Sequence, residues 1–323
     1  MTFDSSSIFS IRTEDDFEKI AIKLFNYQYK NNGLYRNYCD LVLKGKKPTQ
    51  IDEIPFLPIQ FFKSHTVKTT DFEAESIFSS SGTTGSTPSL HHIHSKDWYL
   101  TVCTTAFELQ YGSLKDFRVL ALLPSYLERE GSSLIDMVEH FISSCGNHGD
   151  FYLNHKENLV QELNKPFDGK TLLIGVTYSL LDFAEQTPIP LNDTVIMETG
   201  GMKGRRKEMI REEVHEILKS AFSVERIHSE YGMTELLSQA YSKGNGIYTS
   251  PSWMRVLTRQ TSDPFTYEKT GKTGGINIID LSNWKSCAFI QTQDLGRVYR
   301  DNSFEILGRF DDSETRGCNL MVQ

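Results

Sequence analysis

The sequence of 323 residues predicts an α/β fold, with helices packed on mainly parallel sheets and a β-rich subdomain at the C-terminal end. Short apolar segments alternate with amphipathic segments between residues 118 and 222, which is the pattern of strands joined by crossover helices. After Tyr248 the pattern changes to strand after strand, separated by Gly, Asp and Asn. Hydrophobic residues make up 38% of the chain and charged residues 24%, which is typical of a globular protein with a sizeable core.

The first predicted element is a helix over residues 14–31. Phe17, Leu24 and other apolar residues recur at helical spacing, Thr13 can cap the N-terminus, and Asp16 follows it by three residues. Gly33 is predicted to end this helical segment.

The alternating region predicts three strands and three helices. We expect the strands at 118–123, 171–176 and 194–198, and the helices at 132–145, 178–186 and 205–222. The later region predicts an antiparallel meander with strands at 275–280, 287–292, 296–299 and 304–307. We therefore divide the chain into an N-terminal helical segment (1–60), an α/β core (61–245) and a β-rich subdomain (246–323).

Composition and charge exclude several classes of function. No apolar run reaches the ~18 residues that a membrane-spanning helix requires, and the N-terminus lacks a secretion signal, so we expect a cytoplasmic protein with no membrane span. The net charge of −8 argues against a nucleic-acid binder. An odd number of cysteines without a CxxC pair argues against a disulfide framework or a zinc site. These are Cys39, Cys103, Cys145, Cys287 and Cys318.

Residues 79–89 form a run of small hydroxyl residues around two glycines, directly after an apolar segment. Glycine lets the backbone approach an anion closely, while backbone N–H groups and hydroxyls donate hydrogen bonds without bulk. The same composition occurs in flexible linkers, so the run alone leaves both interpretations open. No Gly-Lys-Ser/Thr follows, which excludes a Walker-type loop. The residues concerned are Ser80, Ser81, Gly82, Thr83, Thr84, Gly85 and Ser86.

A second candidate segment, residues 198–206, follows a predicted strand and starts a predicted helix. It combines three glycines with three cations near a helix N-terminus, which suits an anion or the edge of a nucleotide. An ordinary glycine turn is the alternative. The residues are Gly200, Gly201, Lys203, Arg205 and Arg206.

Two further places carry polar residues that do not belong in a core. Residues 231–235 place an aromatic ring, a glycine, a hydroxyl and a carboxylate in one turn, which suits base stacking, phosphate binding and Mg²⁺ coordination. The members are Tyr231, Gly232, Thr234 and Glu235. Asp294 and Arg309 lie in predicted turns of the meander, and these residue types can bind ribose hydroxyls or a phosphate.

These four places, in this order and spacing, resemble the motifs of the adenylate-forming superfamily of acyl- and aryl-activating ligases. The run at 80–86 is similar to its phosphate loop, 231–235 to its aromatic-Gly-x-Thr-Glu motif, Asp294 to its ribose-binding Asp, and 308–312 to its hinge motif. Within the superfamily the chain looks most like LuxE-type acyl-protein synthetases and relatives of phenylacetate-CoA ligase, on segments 123–134 and 316–318. The resemblance implies the fold of the large N-terminal domain of an adenylate-forming enzyme.

The resemblance also implies a chemistry. A carboxylic acid, in LuxE-type proteins a fatty acid, reacts with ATP to give acyl-AMP and pyrophosphate, and the acyl group passes to a cysteine thiol or a carrier protein. The implied phosphate ligands are Ser81, Thr83 and Thr84, and Glu235 with Thr84 is implied to hold Mg²⁺. Tyr231 would pack on adenine beside Gly200 and Gly201, and Asp294 and Arg309 would bind the ribose.

Cys318 is the acyl acceptor that the resemblance implies, because LuxE-type proteins use a cysteine near the C-terminus. Arg316 lies two residues away, and a nearby cation favours the nucleophilic thiolate. From the residues alone, a buried structural thiol is the alternative.

The sequence departs from the superfamily in one respect. Full-length ligases carry a catalytic lysine in a small domain after the hinge, whereas no lysine follows Lys285 here, so we expect that domain to be lacking. Positive charge for the reacting phosphate is then predicted from Lys203, Arg205 or Arg206. The alternatives to an acyl-protein synthetase are an acyl- or aryl-CoA ligase and a non-catalytic nucleotide-binding subunit.

Histidines near these motifs predict no metal site. His91, His92 and His94 lack a carboxylate or cysteine nearby that would complete a ligand set, so substrate contact or surface exposure is expected. His228 is predicted either to line the pocket or to be structural.

Overall fold

The computed structural model describes residues 3–80, 87–123, 131–146, 148–200, 206 and 209–310. Helices α1 to α8 lie at Glu14–Asn31, Gly33–Leu43, Phe61–Ser64, Lys96–Tyr111, Ser133–Ser144, Lys156–Asn164, Thr177–Gln186 and Arg211–Phe222. Strands β1 to β14 lie at Leu57–Pro58, Ser76–Ser79, Leu90–Ile93, Phe117–Leu122, Gly149–Phe151, Lys170–Val176, Thr194–Thr199, His228–Tyr231, Ala240–Ser242, Ile247–Thr249, Met254–Arg259, Thr273–Asp280, Phe289–Val298 and Phe304–Arg309.

Twelve of the described strands form one sheet. Its order is β11-β12-β13-β14-β10-β9-β8-β7-β6-β4-β5, and β1 pairs with β13 outside that path. Strands β4 to β8 are parallel, and every pairing along the path from β8 to β11 is antiparallel. We call β4–β8 the parallel half and β9–β14 the antiparallel half. Strands β2 and β3 form a separate hairpin.

The parallel half is covered by helices on both faces, which explains its apolar strands. Every residue of β4 is buried. Leu120 and Leu122 pack in a cluster with residues of α7 and α8, whereas Val119 and Ala121 point to the opposite face and join the larger core with α4 and α5. A strand buried on both faces is apolar throughout rather than alternating.

Local hydrogen bonds explain where the N-terminal helices begin. Thr13 and Asp16 form a complete capping box at the start of α1, and α1 has the predicted bounds. The Asn32 side chain accepts a hydrogen bond from Tyr35 N at 3.0 Å and so caps a second helix, α2. Gly33 therefore begins α2, and the prediction that it ends the helical segment is wrong.

The predicted fold class is confirmed, and most predicted elements agree with the structure to within about two residues at each end. Two differ more: α8 begins at Arg211, and the strands expected at 287–292 and 296–299 are one strand, β13. A register shift after Leu295 lets β13 continue against β14 through the residues where a turn is predicted. Helices α4 and α6 carry no counterpart among the predicted elements.

Strands β9 and β10 connect the two halves within one continuous sheet. The division of the chain into parts at residues 60 and 245 stays a prediction. None of the helices in the described ranges is both long and apolar enough to cross a membrane.

Candidate functional site

Three of the predicted site residues meet at one carboxylate. Asp294 is only 4% exposed, its Oδ2 accepts a hydrogen bond from the Tyr231 hydroxyl at 2.6 Å, and its Oδ1 accepts one from Arg309 Nε at 2.9 Å. Asp294 and Arg309 are direct partners across the β13–β14 ladder. Tyr231 ends β8, which is four strands away along the sheet.

The sheet must curl to bring β8 and β13 together. In a flat sheet, four strand spacings of about 4.8 Å would separate the two strands by about 19 Å. Aromatic rings from the intervening strands fill the inside of the curl: the Tyr231 ring lies 5.8 Å from Tyr248 and 5.5 Å from Phe304, and those two rings stack at 5.3 Å. Burial raises the pKa of Tyr231, so its phenol stays protonated and donates a hydrogen bond to Asp294.

Glu235 lies next to the base of the hydroxyl-rich loop. The Ser80 hydroxyl accepts a hydrogen bond from Ser89 N at 2.8 Å, and Ser80 N donates to Ser89 O at 3.1 Å, so these residues close the β2–β3 hairpin. The Ser89 hydroxyl in turn hydrogen-bonds the Glu235 carboxylate. Glu235 is 6% exposed, and burial raises the pKa of its carboxyl despite this bond and the nearby charges of Arg309 and Lys63.

His91 and Asn283 hold the backbone of the Thr234–Glu235 turn. His91 Nδ1 lies 2.8 Å from the Thr234 carbonyl oxygen and its Nε2 lies 3.1 Å from Asn283 Oδ1, while Asn283 Nδ2 donates to the Glu235 carbonyl at 2.8 Å. The His91 ring also packs edge-on against Phe62 at 5.5 Å. Because His91 is 1% exposed, the expectation of surface exposure is wrong for this residue, and the alternative of substrate contact stays a prediction.

Asp280 fixes the residues that follow this turn. Its carboxylate accepts hydrogen bonds from Leu237 N at 2.9 Å, from Ser238 N at 3.0 Å and from the Ser238 hydroxyl at 2.7 Å, and it also accepts from Ser282. Asp280 ends β12 in the antiparallel half, whereas Leu237 and Ser238 lead from β8 into β9. The buried carboxylate therefore fastens the two halves together directly behind Glu235.

A glycine lies just after the end of β7 and another just after the end of β8. Gly200 follows β7 with φ of +81°, a conformation that favours glycine. The Thr199 hydroxyl donates to the Glu230 carboxylate across the two strand ends, and a Cβ on Gly232 would lie 2.4 Å from Glu230 Oε1. The first turn therefore favours glycine through its backbone conformation, and at the second a side chain would displace the Glu230 carboxylate.

Arg206 is bound to helix α7 rather than directed at Glu235. Its Nε donates to Asp182 at 2.8 Å and its Nη1 donates to Glu185 at 2.8 Å. Two carboxylates thus balance its charge. Lys63, on α3, and Arg309 are the cations named above whose charge acts on Glu235. No sequence motif marked Lys63, because only the packing of α3 against the hairpin brings it there.

His228 contacts Tyr111. The sequence left two alternatives for this residue, a place in the pocket lining and a structural role. Its Nδ1 lies 3.1 Å from the Tyr111 hydroxyl, and burial lowers the pKa of the imidazole to about 4. These contacts support the structural role.

The remaining predicted site residues lie outside the described residues, so their assigned roles stay predictions. They are Ser81, Gly82, Thr83, Thr84, Gly85, Gly201, Lys203, Arg205 and Cys318.

Within the described ranges, no group of three or more His, Cys, Asp or Glu residues is arranged to hold a metal ion on its own. A Mg²⁺ ion held between nucleotide phosphates needs only one or two carboxylates. The buried Glu235 carboxylate beside the Ser89 hydroxyl offers oxygen ligands of the kind that such an ion prefers.

Comparisons with known proteins confirm the resemblance predicted from the motifs. The family profile described as acyl-protein synthetase, LuxE, matches residues 5–97. A long-chain-fatty-acid–luciferin-component ligase of Vibrio harveyi is 24% identical over 92% of this chain and 85% of that protein. The protein of the same description from Photorhabdus luminescens is 40% identical over 76 residues, which are 22% of this chain and 66% of that sequence.

Solved structures confirm the fold class. A 2-hydroxyisobutyryl-CoA ligase in complex with 2-HIB-AMP and CoA aligns with a TM-score of 0.66 at 12% identity, over 93% of this chain and 70% of that one. ATP-bound MatB from Rhodopseudomonas palustris aligns with a TM-score of 0.56 at 14% identity, over 75% of this chain. This chain spans about half the length of the MatB structure that it matches. The named relatives and neighbours are ligases, in agreement with the predicted enzyme class.

Proposed function

We propose that this chain is an acyl-adenylating ligase that activates a carboxylic acid with ATP and passes the acyl group to a thiol, as an acyl-protein synthetase. The observation that carries this proposal is the convergence of Tyr231, Asp294 and Arg309 beside the Glu235 turn and the base of the hydroxyl-rich loop. The similarity to ligases for a long-chain fatty acid supports it and favours a fatty acid as the substrate.

In the first step, a carboxylate oxygen of the acid attacks the α-phosphorus of ATP. The P–O bond to the β-phosphate breaks, and pyrophosphate leaves with the electron pair, giving acyl-AMP. Asp294 and Arg309 bind the ribose, Tyr231 packs on the adenine beside Gly200 and Gly201, and the loop at 80–85 holds the β- and γ-phosphates. Lys63 contributes positive charge near Glu235.

Glu235, with Thr84, would hold a Mg²⁺ ion that neutralises charge on the leaving pyrophosphate. The raised pKa of the Glu235 carboxyl means that a bound cation stabilises its ionised form at the expense of a proton.

In the second step, the thiolate of Cys318 attacks the acyl carbonyl carbon. The bond between the carbonyl carbon and the phosphate oxygen breaks, AMP leaves, and a thioester forms. The acyl group then moves from Cys318 to a carrier protein. CoA as the direct acceptor is the second candidate, because a structural neighbour was solved with both an acyl adenylate and CoA.

Adenylation is tested by ATP–pyrophosphate exchange with a panel of fatty and aromatic acids. We expect exchange that depends on the acid and is strongest with a fatty acid, and a decrease of about 100-fold or more in Glu235→Gln. A Glu139→Gln variant, on the helix α5, is the matched control and should exchange at the wild-type rate. A protein that binds ATP without exchange with any acid would instead be a nucleotide-binding subunit.

Transfer is tested with a radiolabelled acid and ATP in the absence of other proteins. We expect label on the chain that hydroxylamine removes and that Cys318→Ser abolishes, while pyrophosphate exchange continues in that variant. Label that persists on Cys318→Ser would refute the assignment of this cysteine. Release of acyl-CoA on addition of CoA, without labelled protein, would favour the CoA ligase.

A further inference from the structure

The Tyr231 hydroxyl donates a hydrogen bond across the curled sheet to Asp294. The proposed function assigns this carboxylate to the ribose. The inference drawn from this contact rests on that proposed function. We propose that Tyr231 is a positioning residue for ribose recognition: its hydroxyl holds Asp294 in the orientation in which the carboxylate accepts the two ribose hydroxyls of the nucleotide.

The carboxylate of Asp294 has capacity left for such a ligand. An ionised carboxylate offers about four lone-pair positions, two on each oxygen. Among the described residues, one hydrogen bond reaches Oδ2, from Tyr231, and one reaches Oδ1, from Arg309. A position therefore remains on each oxygen, as two neighbouring hydroxyls require.

Of the two side chains that hold the carboxylate, only Tyr231 is confined. The Arg309 side chain is 71% exposed, so water competes for its hydrogen bond and screens its charge. The Tyr231 ring is wedged against Tyr248 and Phe304, which fixes the direction of its hydroxyl. The phenol therefore defines the plane of the carboxylate before the nucleotide arrives, and preorganisation of this kind strengthens binding.

Two other roles for the contact give different results in an experiment. The hydroxyl could occupy the place of a ribose hydroxyl, in which case its removal tightens nucleotide binding. It could also serve only to close the sheet, in which case its removal affects all nucleotides equally. The ring is retained in Tyr231→Phe, so this substitution removes the hydroxyl without opening a cavity.

The experiment measures equilibrium binding of AMP, 2′-deoxy-AMP and 3′-deoxy-AMP by calorimetry, without metal or acid substrate. We expect Tyr231→Phe to weaken AMP binding about tenfold and the binding of each deoxy analogue by clearly less, since each has lost one partner of the carboxylate. In an Asp294→Asn background, Tyr231→Phe should have no further effect on AMP. Tyr248→Phe, in the same ring cluster, is the control and should weaken all three ligands equally, by less than about threefold.

Equal weakening of all three ligands by Tyr231→Phe would overturn the inference while leaving the proposed function intact. Tighter binding of AMP by this variant would overturn it in favour of competition. Wild-type protein that binds no AMP, and shows no pyrophosphate exchange, would overturn the proposed function and this inference together. Thermal unfolding of each variant separates a loss of affinity from a loss of fold.

Discussion

The two halves of the sheet bring residues to the candidate site by different routes. In the parallel half, Gly200 and Tyr231 lie where β7 and β8 end, which is where an open α/β sheet ordinarily binds ligands. In the antiparallel half, Asp294 lies inside β13 and reaches the site because the sheet curls around a cluster of aromatic rings. The rule that ligands bind at strand ends therefore finds Gly200 and Tyr231. It gives the wrong local structure for Asp294, which lies inside a strand.

The difference also separates what each half contributes. The parallel half supplies the turns and the acidic side chain of Glu235, whereas the antiparallel half supplies Asp294 and Arg309 and, through β1 paired with β13, the helix that carries Lys63. His91, Asn283 and Asp280 fasten the halves to each other at the Thr234–Glu235 turn. Substitutions at the junction should therefore affect stability most, and those at the exposed cations least.

The largest effect is expected for Asp280→Ala. The substitution leaves the N–H groups of Leu237 and Ser238 buried without an acceptor, and we expect the free energy of unfolding to fall by about 4 kcal/mol. Urea unfolding measures this change. Asp301→Ala is the matched control, because Asp301 also accepts from the backbone and hydroxyl of the serine two residues later but is exposed. Its cost should stay below about 1 kcal/mol, and equal costs would show that the halves are not joined at Asp280.

A smaller effect is expected from the titration of His91. Burial lowers the pKa of its imidazole in the folded state to about 4, although its hydrogen bonds with Thr234 and Asn283 act in the opposite direction. The unfolded imidazole, with an ordinary pKa of about 6.5, binds protons first as the pH falls. Stability from this residue is therefore complete above about pH 6.5 and is lost as the pH falls toward 4.

Between pH 7.5 and 5.5 this difference amounts to about 1.3 kcal/mol. His91→Asn cannot titrate, so its free energy of unfolding should fall less between these pH values by about that amount. His155→Asn, at an exposed position, should keep the wild-type dependence. An identical pH dependence in His91→Asn and wild type would show that folding leaves the pKa of this imidazole unchanged, and would contradict the prediction.

The smallest effects are expected at the cations that each half offers. Lys63→Ala should weaken ATP binding about fivefold, roughly the 1 kcal/mol of an exposed charge pair, and leave AMP binding unchanged, because Lys63 acts at the phosphate end. Arg206→Ala should change neither, since Asp182 and Glu185 already engage its guanidinium. Calorimetry with both nucleotides measures this pair. Weaker ATP binding in Arg206→Ala, with unchanged ATP binding in Lys63→Ala, would assign the contact with the phosphates to Arg206 in the parallel half.

Much of the parallel half was predictable from the sequence. Apolar runs such as β4 and β6 are buried on both faces, so their composition alone marks them as parallel strands. The capping box of α1 and the turn residues of the motifs involve neighbours within about four positions, and such local chemistry depends little on the rest of the fold. Three residues of the motifs at 231–235, 294 and 309 contact each other in the structure, and their roles toward a nucleotide stay predictions.

The misassigned parts share a physical cause. Residues 293–295 inside β13 were predicted as a turn, because the register of β13 against β14 shifts after Leu295, and only the pairing of the two strands shows that the strand continues. His91 was predicted to be exposed. Its hydrogen-bond partners lie 143 and 192 positions away along the chain, so the local sequence does not reveal them. Arg206 was predicted to supply positive charge to the phosphate. Its partners Asp182 and Glu185 lie on α7, in a neighbouring crossover, so the sequence around Arg206 does not reveal them.

By itself, then, the sequence determined the fold class and the order of parallel and antiparallel strands, since these follow from hydrophobic pattern. The grouping of Tyr231, Asp294 and Arg309 in one site came from the resemblance of their motifs to a known family. Only the tertiary structure decided how Tyr231 crosses four strand positions to reach Asp294, and which cations face Glu235. The physical reason is that the curl of the sheet comes from side chains far apart in the chain, Tyr231, Tyr248 and Phe304, packing into one cluster. No local pattern specifies such a contact.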